Sequence, residues 1–149
     1  MPKPYDKTTL TRHTSFRRSR FHQDPRLPSE AADQLYGRWV KNCCQGRADK
    51  VLVGRVNGQA AGVVACIVGN DLRGRRSGLV DLLAVSSDAR GQGLGTGLLR
   101  AGLRWMLRAG CEEVWVDTQG SDRTSLHVYQ DAGFATEYVN LDLHLWLES

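Results

Sequence analysis

The chain has 149 residues, 41% hydrophobic and 24% charged, with a formal net charge of +4. A single domain over residues 1–149 is expected, large enough to bury roughly 70% of its unfolded surface without a metal or disulfide staple. No apolar run approaches the about 18 residues of a membrane span, and the start MPKPYDKTTLTRH has no apolar secretion core, so a cytoplasmic protein with no membrane partner is expected.

Residues 1–28 read as a basic, partly irregular arm. Over residues 1–30, Lys3, Lys7, Arg12, Arg17, Arg18, Arg20 and Arg26 outweigh Asp6, Asp24 and Glu30 by the whole of the net charge of +4. Such an arm suits an anionic small molecule, nucleic acid or plain solvation. Thr8–Thr11 has strand character, Ser15–His22 mixes aromatic and basic residues, and Asp24-Pro25 and Leu27-Pro28 break regular structure. Ser29 follows as the expected N-cap of a helix that ends near Gly46, with Ala32, Leu35, Trp39, Val40 and Cys43 on one face. Cys43, Cys44, Cys66 and Cys111 lack zinc spacing and read as reduced packing thiols, so no metal is expected.

Val51–Arg55 and Ala60–Val68 are strands joined by the hairpin signal Asn57-Gly58. A basic turn over Gly69–Gly78 leads to a third strand, Leu79–Val85, apolar except for Asp81. Arg90-Gly91-Gln92-Gly93-Leu94-Gly95-Thr96 then opens a helix over Leu94–Arg108, whose apolar face is Leu94, Leu98, Leu99, Leu103, Met106 and Leu107, with Gly110 at its end. A strand over Glu113–Thr118, a helix over Arg123–Ala132 and a strand-like tail over Phe134–Leu147 complete the chain. In the tail Leu141, Leu143, Leu145 and Leu147 share one side, with His144 and Trp146 on the other. The order gives an α+β fold with a mixed sheet: an antiparallel meander followed by a parallel β-α-β pair.

The glycine-rich stretch carries the function. Closely spaced glycines let backbone N–H groups converge, and a helix start adds unpaired N–H groups and partial positive charge, so the loop suits a pyrophosphate. A Walker A loop would need a terminal Gly-Lys-Ser/Thr, which is absent. A dinucleotide fingerprint would follow its strand directly, whereas five residues separate Val85 from Gly91; Asp117 could serve as its ribose acid, but the preceding meander is wrong for that fold. A structural glycine turn is the remaining alternative. The spacing of Arg90, Gly93 and Gly95 fits Q/R-x-x-G-x-G/A.

Over LLAVSSDARGQGLGTGLL the chain resembles the acetyl-CoA motif of the GNAT superfamily of N-acetyltransferases, and Tyr129-Gln130-Asp131-Ala132-Gly133-Phe134 resembles that family's Y-x-x-x-G-F. The resemblance covers roughly residues 78–134. It implies that acetyl-CoA lies between splayed strands, contacting Leu83, Ala84 and Val85 along the strand and Arg90, Gly91, Gln92, Gly93, Leu94, Gly95 and Thr96 in the loop. It also implies that Tyr129 is a general acid near the thioester sulfur. A tyrosine of pKa about 10 beside a thiol of about 8.5 can protonate the leaving thiolate. Asp122 stands where the family often has asparagine; it is a candidate cofactor contact, and helix capping explains it equally well. Asp81 matches a position where relatives place a carboxylate base. A structurally paired acid and a water relay are the alternatives.

Further stretches resemble the branch that acetylates TDP-linked amino sugars of the TDP-fucosamine type: Ser19-Arg20-Phe21 with Asp24, Leu35–Trp39 followed by Asn42 and Gly46, Val116–Gln119, and Leu143-His144-Leu145-Trp146. On that resemblance Arg20, His144 and Trp146 are candidate acceptor-binding residues. An arginine can hold a nucleotide sugar's pyrophosphate by paired hydrogen bonds. A protein-amine acetyltransferase and a non-catalytic acyl-CoA-binding regulatory module are the competing functions. A nucleic-acid partner rests on the arm alone and is not expected. A homodimer is expected from the tail strand as a sheet edge.

Overall fold

The computed structural model describes residues 25–26, 28–71, 73–141, 143 and 145–147. The expected Thr8–Thr11 strand and the Ser15–His22 stretch with Arg20 lie outside them, as does His144. Helix α1 spans Ser29–Asn42 and passes into a π-helical turn over Cys43–Arg47. Strands β1 (Lys50–Val56), β2 (Gln59–Asn70) and β3 (Arg76–Val85) follow, then helix α2 (Leu94–Arg108), strand β4 (Glu113–Val116) and helix α3 (Arg123–Asp131).

The four strands lie in the order β1-β2-β3-β4. The first three pair antiparallel, and β4 pairs parallel to β3. This is the mixed sheet expected from the strand and helix order. The hairpin turn between β1 and β2 places Asn57 and Gly58 at φ 49° and 78°, the left-handed pair that the Asn-Gly signal requires. Ala61–Cys66 of β2 are buried without interruption because both faces of the sheet are covered. On one face Val64, Cys66 and Val80 pack with Leu98, Leu99 and Met106 of α2 and Tyr129 of α3. On the other, Val63, Ala65, Leu82 and Ala84 pack with Val40 and Cys43 at the end of α1. Gly102 lets α2 approach closely: a Cβ there would stand 3.0 Å from the Cys66 sulfur.

One irregularity decides the shape of the site. Leu82 pairs with Ala65 and Val80 with Cys66, so Asp81 is an extra residue in β3. At such a bulge the side-chain alternation breaks. Val80 joins the α2 layer, Asp81 and Leu82 both turn toward α1, and Leu83 returns to the α2 layer. The pairing of β3 with β4 covers Ser77–Val80 and stops there. Beyond it, Asp81–Val85 has no strand on that side among the described residues.

Several sequence expectations change. Pro28, not Ser29, occupies the N-cap position of α1. Leu35 is exposed rather than part of the apolar face, and so is Leu107 at 71%. Leu107 follows the fully buried Met106, at the margin of a face that the sheet does not reach. Strand β4 ends at Val116, two residues early, where its pairing with β3 stops, and Asp117 and Thr118 have no strand partner among the described residues. The tail forms no strand among its described residues, and Leu141, Leu143, Leu145 and Leu147 are all largely exposed. An alternating pattern needs an edge to pair with before it becomes a strand.

The packing predicts a contrast on one helix. Leu99→Ala removes a fully buried side chain and should cost about 2–5 kcal/mol. Leu107→Ala should stay within about 0.5 kcal/mol of the parent. Urea denaturation of the two variants checks the orientation of α2.

Candidate active site

The free length of β3 runs directly into the glycine loop. After Val85, a short 3-10 turn over Ser87–Ala89 leads to Gly91 and Gly93, at φ 72° and 79°. Such angles are strained for any residue with a side chain. Gly93 is the N-cap of α2, with no side-chain cap. The N–H of Gly97 makes the first helical bond, 2.9 Å to the carbonyl of Gly93. The N–H groups of Leu94, Gly95 and Thr96 in the first turn therefore have no helical acceptor. Together with the helix dipole they make a donor set suited to an anion. This turn lies against the strand end: a Cβ at Gly95 would make ordinary contact with Val85 at 3.4 Å.

Two side chains brace the loop. The Nε of Arg90 donates to the carbonyl of Val85 at 3.3 Å, tying loop to strand, and the Nε2 of Gln92 donates to the carbonyl of Asp88 at 3.2 Å. Their geometry gives both a part in shaping the loop, besides the cofactor contact that the family resemblance implies.

Tyr129 lies in the last turn of α3, with Gly133 at φ 98° just beyond the helix. Its ring meets Phe134 edge to face, centroids 5.7 Å apart. This gives the Y-x-x-x-G-F spacing a physical meaning: glycine reverses the chain so that Phe134 folds back on Tyr129, and the Phe134 N–H reaches the Tyr129 carbonyl at 3.0 Å. Tyr129 is only 8% exposed, yet among the described residues its hydroxyl has no hydrogen-bond partner. Burial, helped by the nearby Asp122 charge, pushes its pKa up to about 12. A buried hydroxyl without a partner is costly unless a ligand completes it. Asp122 itself caps α3, accepting from the Ser125 N–H at 3.1 Å and the Ser125 hydroxyl at 2.7 Å. Capping thus accounts for both of its oxygens.

Asp81 is tightly held. Its side chain is 4% exposed. Arg47 donates from Nε to Oδ2 and from Nη2 to Oδ1, each at 2.9 Å. Trp39 Nε1 donates to Oδ2 at 2.9 Å, and the Cys43 thiol lies 3.2 Å from the same oxygen. Burial pushes the Asp81 carboxyl up, but the hydrogen bonds from Arg47, Trp39 and Cys43, with the Arg47 charge, outweigh it and hold the pKa below the ordinary 3.8. A general base needs a free lone pair and an affinity for the proton. Here the geometry favours the paired-acid alternative over the base expected from the resemblance. Sequence reasoning found Asp81 but missed its partners. By periodicity Trp39 and Cys43 belong to an apolar face, and Arg47 carries no signal of its own. The same neighbours leave Cys43 unreactive: burial and the Asp81 contact raise its pKa to about 12.

Of the candidate acceptor residues, Trp146 is described, 43% exposed, with the Arg26 guanidinium 5.5 Å from its ring centroid. The end of the basic arm and the tail therefore meet.

An open strand edge leading into an anion-binding helix start, with an orphaned hydroxyl buried on the following helix, is an arrangement suited to an acyl-CoA. The residues present fit acetyl-CoA on those observations. The sequence matches the Acetyltransferase (GNAT) family over residues 13–134, and the chain belongs to that family. Among its relatives is the spore coat polysaccharide biosynthesis protein SpsD of Bacillus subtilis, 26% identical over 97% of this chain and 49% of that protein. Human N-alpha-acetyltransferase 30 is 29% identical over 62% of this chain and 28% of its own length. The chain thus spans half or less of these two relatives. A transcriptional regulator from Bacillus halodurans shares the fold, with a TM-score of 0.67 over 93% of this chain and 92% of that one at 18% identity.

Because Asp81 titrates lower folded than unfolded, its contribution to stability is present above about pH 3.8 and is lost as pH falls through the lower folded value. Asp81→Asn should therefore melt below the parent at pH 7, with the gap narrowing once the pH drops under about 4. Thermal melts across that range check it, and a gap that stays constant with pH would refute the ionic account.

Proposed function

We propose that the chain is an acetyl-CoA-dependent N-acetyltransferase acting on a primary amine of a small molecule, preferably a nucleotide-linked amino sugar. The observation that carries the reading is the continuous path from the β3 edge, unpaired among the described residues, to the glycine loop, with the Tyr129 hydroxyl lacking a described hydrogen-bond partner in the layer beside it. Acetyl-CoA supplies the activated acyl group as a thioester. The N–H groups of Gly91–Thr96 bind its pyrophosphate, and the open backbone of Leu83, Ala84 and Val85 aligns its amide-bearing arm as an added strand would be aligned. A backbone N–H of the same stretch polarises the thioester carbonyl.

Tyr129 acts as general acid. With a pKa of about 12 its hydroxyl is protonated at neutral pH, the form able to donate to the leaving sulfur, although this burial makes it a weaker acid than a free tyrosine. Ionisation of Tyr129 should accordingly leave activity untouched below about pH 11. Asp81 is already satisfied by four donors, so a water relay carries the proton from the amine.

The amino-sugar preference is supported by the similarity, over 97% of this chain and 49% of the relative, to a protein named for polysaccharide biosynthesis and by the cluster of arm and tail at Arg26 and Trp146. Arg20 and His144 are proposed to join them around the acceptor. The similarity to an N-alpha-acetyltransferase over 62% of the chain favours a second reading, acetylation of a protein N-terminus.

Thiol release from acetyl-CoA should be measured against TDP-amino sugars, aminoglycosides, polyamines and N-terminal peptides. The expected result is turnover with the nucleotide sugars, lowered about 10²–10⁴-fold by Tyr129→Phe with little change in acetyl-CoA affinity. Turnover confined to peptides would replace the acceptor assignment. Tight acetyl-CoA binding without turnover of any amine would make the chain a regulatory module.

A further inference from the structure

The Arg47–Asp81 pair stands apart from the groups that bind or protonate. Arg47 closes the π-helical turn after α1, where Gly46 takes φ 112° to swing the chain back. The turn delivers a two-pronged guanidinium to a carboxylate 34 residues away. That carboxylate is the extra residue of the β3 bulge. The bulge follows immediately on Val80, the last residue that pairs with β4. One ion pair therefore joins the end of α1 to the point where the two strands part.

We propose that Arg47 is a positioning residue: by holding Asp81 in the bulge, it fixes the free backbone of β3 at the angle needed to align a thioester. The proposal rests on the acetyltransferase reading above. Without the bulge Leu82 would take the side that Val80 takes, Leu83 would turn away from the α2 layer, and the edge would face the wrong way for the rest of its length. Trp39 and Cys43 contact only Oδ2, whereas Arg47 bridges both oxygens and so sets the carboxylate's rotation. The glycine loop is built from separate contacts, chiefly Arg90 to Val85 and the Gly93 turn, and does not depend on the pair.

This separation makes the test specific. In Arg47→Met the kcat should fall at least tenfold while the dissociation constant of acetyl-CoA stays within about threefold. Arg47→Lys, which keeps the charge but not the fork, should fall between Arg47→Met and the parent. Asp81→Asn should resemble Arg47→Met, and the double variant should be no more than about threefold worse than either single one, as expected for residues acting as a unit. A residue that served stability alone would lower the melting temperature and leave kcat, measured well below it, unchanged; that result overturns the proposal. A loss of activity in Asp81→Asn with full activity in Arg47→Met would instead make Asp81 the base and also overturns it. Amide hydrogen exchange of the unliganded protein gives a readout independent of turnover. Arg47→Met should speed exchange at Leu82–Val85 at least tenfold and leave the middle of α2 unchanged. Unaltered exchange at Leu82–Val85 contradicts the proposal even if no amine is acetylated, whereas altered exchange without turnover supports the pair and removes only the functional reading.

Discussion

A carboxylate buried in an apolar sheet is expensive unless its oxygens are filled and its charge is matched. Asp81 meets both conditions through the Arg47 fork, the Trp39 indole and the Cys43 thiol. The interaction cannot be local, because α1 and β3 are far apart in sequence. The cluster of Cys43 with Val63 and Ala65 of β2 and Leu82 of β3 brings the two ends together. The ion pair is thus a product of the fold, and it sits at a departure from regularity, the bulge where the pairing of β3 with β4 ends.

From that point the site follows in order. The bulge shifts the alternation of β3, so that Leu83 and Val85 join the α2 layer. The end of β3 then meets the start of α2, with Gly95 against Val85 and Arg90 tied to the Val85 carbonyl. Tyr129 enters the same layer from α3, held by Asp122 at one end of that helix and by Phe134 folding back at the other. Leu83 and Val85 thus stand on a strand and Tyr129 on a helix, and the open edge is the gap left between β3 and β4 among the described residues.

Local chemistry made much of this legible from the sequence. Asn57-Gly58, Gly93, Gly110 and Gly133 all occupy the left-handed positions that their motifs require. Helix α2 begins and ends where its periodicity places it, at Leu94 and Arg108. The partners of Asp81 were not legible, because an indole, a thiol and an exposed guanidinium can be paired with a distant carboxylate only once the tertiary fold is known. The bulge was hidden for the same reason: alternation in Leu79–Val85 reads as unbroken until the register against β2 shows Asp81 to be extra. The tail failed in the opposite sense. Its alternation is clear, yet strand pairing depends on an edge that the pattern does not encode. Family membership, established over residues 13–134, agrees with the loop and with the Tyr129 motif but leaves the acceptor to chemistry outside the shared core.

The central claim is that the unpaired backbone of β3 and the uncapped start of α2 together form one acyl-CoA site. Titration of the isotopically labelled chain with acetyl-CoA, followed through its backbone amide resonances, tests this most directly. The account predicts large shifts clustered at Leu82–Val85 and at Gly91–Thr96, with small ones in β1. Shifts limited to Gly91–Thr96, with Leu82–Val85 unmoved at saturation, would contradict it.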